Sequence, residues 1–132
     1  MARYRSLGIE DSNPLNAITE ATRAALQQEL GLPVFTGMKH WTPRIADAVD
    51  AALASGAQRL VGLVLAPHYS SLSIAGYRKL LGAAVADRAD VVFVDSWHDH
   101  EGFVAFLADR VRDSDAHVVF TAHSLPARIL AG

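Results

Sequence analysis

The chain has 132 residues, 51% of them hydrophobic and 20% charged, with a formal net charge of −2 and no cysteine. That suits one domain with a single core. The charge gives no electrostatic reason for a nucleic-acid or anionic-membrane partner, and the lack of thiols excludes disulfides, iron–sulfur clusters and thiol catalysis within the chain. The opening MARYRSLGIEDSN lacks the apolar core of a signal peptide. No apolar run nears the roughly 20 residues of a membrane span, so a cytoplasmic protein is expected.

Asn13-Pro14 reads as a cap followed by proline in the first helical position. Leu15, Ile18, Ala25, Leu26 and Leu30 then follow helical spacing, and Gly31 fits the stop. Pro33 to Met38 is predicted as a short strand. Thr42-Pro43 is predicted to cap a second helix with Ile45, Val49 and Leu53 on one face and Gly56 at its end. Arg59 to Leu65 is a nearly continuous apolar strand, a pattern that implies burial on both faces. Ile74, Tyr77, Leu80, Leu81, Ala84 and Val85 form the inner face of a third helix, and Val91 to Val94 is the next strand. Phe103, Phe106, Leu107 and Val111 line a fourth helix, and Val118 to Thr121 is the last strand. Alternation of this kind predicts an α/β fold, a parallel sheet flanked by helices.

In such sheets ligands bind beyond the carboxyl ends of the strands. His40, His68, His98 and His123 all follow apolar runs and so belong to that rim. LVLAPHYSSLS reads as a strand stopped by Pro67, a turn presenting His68-Tyr69, and serines that cap the next helix. VVFTAHSLPARIL is equally well explained as a functional strand end or as a strand followed by a helix that Ser124 caps, with Leu125-Pro126 at its start. Two imidazoles on neighbouring strand ends can bind a divalent metal or move protons near neutral pH. SWHDHEGF looks like a metal cluster, but four consecutive ligands cannot all converge on one ion. It is read instead as a solvated helix start capped by Asp99. His117 precedes the last strand and is read as surface; His40 is read as structural. No G-x-G-x-x-G, Walker-type or G-x-S-x-G motif occurs.

LAPHYSSLSIAGY, VDSWHDHEGFVAFLADRV and VVFTAHSLPARIL, with TGMKHWTP and RYRSLG…SNPLNAITEA, resemble the N-terminal half of ferrochelatases in order and spacing. The likeness is greatest to the soluble bacterial forms that metallate coproporphyrin. It implies the flavodoxin-like half of a class II chelatase fold, in which two similar α/β domains face each other across a porphyrin cleft. It implies ferrous iron and a porphyrin as substrates and no covalently bound cofactor. It also implies roles. His123 matches the family's central histidine, which binds metal or takes pyrrole protons, and His68 matches a second histidine on the metal route. Tyr69, Trp97, Ser124 and Leu125 are the expected porphyrin-binding residues. Because the resemblance ends with the family's first half, a half-enzyme completed by self-association or by a second domain is expected. A non-catalytic porphyrin- or metal-binding module and a small homodimeric chelatase are the alternatives.

Overall fold

A computed structural model describes residues 14–112 and 114–121. Its elements run α1 (Pro14–Leu30), α2 (Ile45–Ala54), β1 (Arg59–Leu63), α3 (Ile74–Val85), β2 (Asp90–Val94) and α4 (Glu101–Arg112). They fall into two compact units, one reaching Ala57 and the other starting at Gln58.

In the first unit α1 has the expected span, and Gly31 ends it at φ 63°, donating its N–H to Gln27 O at 3.0 Å. The covered stripe differs from expectation. Leu15, Ile18 and Leu30 are exposed, whereas Asn16, Thr19, Thr22, Arg23 and Leu26 are partly covered. Polar links explain the shift. Arg23 donates to Glu20 Oε2 (2.8 Å), Gln27 Oε1 (3.2 Å) and Val34 O (3.3 Å), and Gln27 Oε1 accepts the Val34 N–H. A hydrogen bond with the Thr36 side chain, then Arg23, holds the Glu20 carboxyl below its ordinary range.

The expected strand at Pro33–Met38 forms no ladder. Its backbone is engaged by α1 side chains at Val34, and Met38 makes an isolated bridge with Arg44. Helix α2 starts two residues later than expected, at Ile45. Arg44 takes the N-cap position expected of Thr42, and the carboxylate of Asp47, three residues on, accepts its N–H at 2.8 Å. Val49 and Ala52 are buried on the predicted face. Gly56, at φ 92°, closes the helix by donating to Leu53 O while Ala57 N–H reaches back to Ala52 O.

In the second unit β1 and β2 pair in parallel, in register from Arg59↔Asp90 to Leu63↔Val94, with α3 as the crossover. This is an α/β arrangement. β1 alternates rather than being buried on both faces. Leu60 and Gly62 are partly covered, while Arg59, Val61 and Leu63 are exposed. The reason is that α3 lies on the Gly62 side. A Cβ at Gly62 would stand 2.4 Å from Leu81 Cδ2 and 2.8 Å from Phe93 Cδ2, so the bare backbone admits the helix. Ile74 and Val85, near the two ends of α3, are fully buried. Leu80, expected inside, is exposed.

The serine that supports the start of α3 is Ser70. It is buried, its carbonyl accepts the Ile74 N–H at 2.9 Å and its hydroxyl accepts the Ser73 N–H at 3.2 Å. Residues 118–121, expected as a strand, carry no regular structure, and Val119 and Phe120 are 79% and 80% exposed. They have no ladder partner among the described residues. No described helix is long and apolar enough to cross a membrane.

Candidate functional site

Because β1 and β2 are parallel and in register, the chain leaves both at the same edge. Three hydrogen bonds then tie the two exits together. The Trp97 indole Nε1–H donates to Val64 O (2.9 Å), the Trp97 N–H donates to Pro67 O (3.0 Å), and the Ser96 hydroxyl donates to Pro67 O (2.9 Å). Trp97 also packs edge-on against Phe103, 4.9 Å between ring centroids, which seats the second loop on α4. Trp97 is half-buried and acts as a clamp between the loops.

Two of the clamped residues are followed by a histidine. His68 follows Pro67, His98 follows Trp97, and both are exposed. Their ring centroids lie 4.7 Å apart with planes inclined by 34°. Ser96 Oγ stands 2.6 Å from His98 Nδ1. Tyr69, beside His68, is half-buried. Behind the edge, Arg78 pairs with Asp95 Oδ2 and stacks over Phe93, 5.4 Å from the ring centroid.

The sequence places His98 at the rim, but its contact with the His68 ring is what sequence reasoning does not show. The run HDHE reads as one solvated helix start, which groups His98 with His100. Both are exposed, but only His98 meets a second imidazole. His100 caps α4 instead. Its carbonyl accepts the Val104 N–H at 3.0 Å and its Nδ1 accepts the Gly102 N–H at 3.2 Å. That is the place expected for Asp99. The usable signal was Ser96, a hydroxyl two residues before a rim histidine. Among the described residues no group of three His, Asp or Glu side chains converges as a metal site. His123, Ser124 and Leu125 lie outside the described residues. His117 is exposed, as expected, and so is His40, which lies in the first unit.

The ferrochelatase family model matches residues 1–132. A ferrochelatase of Deinococcus radiodurans is 38% identical over 145 residues, an alignment covering 96% of this chain and 45% of that protein. A ferrochelatase of Herpetosiphon aurantiacus is 35% identical, covering 98% and 48% respectively. A coproporphyrin III ferrochelatase of Geobacillus thermodenitrificans is 34% identical, covering 98% and 46%. The chain therefore spans about half the length of the curated relatives it matches.

Proposed function

Since the chain belongs to the ferrochelatase family, we propose that it serves heme biosynthesis as half of a chelatase that inserts ferrous iron into a porphyrin, in the cytoplasm. The observation that supports this most is the convergence of the loops after β1 and β2, which presents exposed imidazoles at the sheet edge where α/β folds bind ligands. A porphyrin releases two pyrrole protons as one divalent cation enters. A neutral imidazole is a suitable acceptor near cellular pH, because its own charge changes there. In this reading His123 is the metal ligand or proton acceptor and His68 stands on the metal's route. Tyr69, Trp97, Ser124 and Leu125 meet the macrocycle. Coproporphyrin is the favoured macrocycle, because some of the relatives carry it in their names.

The alternative reading is a module that binds porphyrin without turning it over. One assay separates the two. Coproporphyrin is titrated into the purified chain and followed by its Soret band, then ferrous iron or Zn²⁺ is added without oxygen. The expected outcome is porphyrin binding with slow insertion. His123→Ala lowers insertion by about 10²–10⁴-fold, the range typical of a lost general base, and His117→Ala leaves it unchanged. Binding without insertion selects the module. No porphyrin binding, or equal rates in the two alanine variants, overturns the proposal.

A further inference from the structure

Ser96 has one hydroxyl proton and two close neighbours, Pro67 O at 2.9 Å and His98 Nδ1 at 2.6 Å. A carbonyl oxygen only accepts, so both contacts are hydrogen bonds at once only when the Ser96 proton goes to Pro67 O. His98 must then donate its Nδ1–H to the Ser96 oxygen, and in the neutral ring the lone pair is left on Nε2. His100 is the reverse case. Its Nδ1 accepts the Gly102 N–H, so its neutral ring carries the proton on Nε2. Two histidines two residues apart thus hold opposite tautomers, and of the two only His98 has a basic nitrogen with no hydrogen bond among the described residues, beside another imidazole.

Histidines that bind metals commonly donate their other ring N–H to a fixed oxygen, which sets the tautomer and aims the lone pair. We propose that His68 and His98 form a two-imidazole site for a divalent first-row transition cation, with His98 Nε2 as a ligand and Ser96 as its positioning residue. Imidazole suits zinc, cobalt and ferrous iron. The two rings are exposed with centroids 4.7 Å apart, and both side chains leave loops pinned by the Pro67–Ser96–Trp97 bonds, which keeps the two imidazoles within reach of one ion. Two protein ligands leave the other coordination positions to water, which suits a cation held briefly and passed on. As a staging point for the metal substrate the site rests on the chelatase reading above; as a binding site it does not.

Zn²⁺ binding is measured at neutral pH by competition with a chromophoric chelator, in a His123→Ala background that removes the other expected metal ligand. His68→Ala and His98→Ala are each expected to weaken binding on the order of 10- to 100-fold, Ser96→Ala by about 10-fold, and His100→Ala not at all. Imidazole ¹⁵N NMR reads the tautomers without metal. His98 is expected as the Nδ1–H form, changing to the commoner Nε2–H form in Ser96→Ala. Zn²⁺ affinity within about twofold of the background protein in His98→Ala overturns the site, as does an equal loss in His100→Ala. Circular dichroism of each variant separates ligand loss from unfolding. Failure of these measurements with insertion intact leaves the chelatase reading standing, and an intact Zn²⁺ site without insertion has the opposite meaning.

Discussion

Val91–Val94 reads VVFV and Val118–Thr121 reads VVFT, yet only the first is a strand. Every residue of β2 has a registered partner in β1, and Phe93 is partly covered beside Gly62. Phe120, in the same local setting of sequence, is 80% exposed. A strand gains from cross-strand packing and a covered face far more than from backbone preference. The contrast teaches that an apolar tetrapeptide specifies only readiness for a sheet. Whether it pairs depends on what the rest of the chain offers it.

The most severe way to break the β1–β2 region is to fill the space that admits α3. Gly62→Val would drive a side chain against Leu81 Cδ2 and Phe93 Cδ2, and overpacking of this kind costs about 1–3 kcal/mol. Urea unfolding measures it, and an unchanged midpoint would mean that α3 does not sit on that face. The two phenylalanines give the direct comparison. Phe93→Ala is expected to cost about 2 kcal/mol, below the range for a fully buried ring because Phe93 is only partly covered. Phe120→Ala is expected to stay within about 0.5 kcal/mol. A larger loss at Phe120 would show that residues 118–121 are paired after all.

The smallest effect is at the strand starts. Arg59 and Asp90 face each other at 3.5 Å but are 71% and 76% exposed, so Asp90→Asn is expected to change stability by less than about 0.5 kcal/mol. Any difference should vanish in about 1 M salt, where screening acts over roughly 3 Å. A large, salt-insensitive loss would make this pair part of what selects the register.

Much of the fold was legible because its signals are local. Gly31 and Gly56 at helix ends act through a few neighbouring dihedrals, and the structure has both where the sequence indicates. The inner face of α3 followed from its 3.6-residue period, apart from Leu80. α1 was harder. Its span was legible, but its covered stripe is organised by Arg23 and Gln27 reaching Val34, and polar contacts of that kind leave no hydrophobic period. The site was legible to the extent that a parallel sheet gathers its rim residues at one edge, which is where the sequence placed His68 and His98.

The sequence by itself determined an α/β chain with histidines past its apolar runs, because periodicity, capping and turn chemistry are written in adjacent residues. Only the tertiary structure decided that β1 pairs with β2 and that His98 turns towards His68 while His100 caps α4. Those outcomes hang on Pro67 O accepting from Ser96 and Trp97, residues 29 and 30 positions further along the chain. A carbonyl looks alike at every position, so its choice of donor emerges only when the strands have aligned.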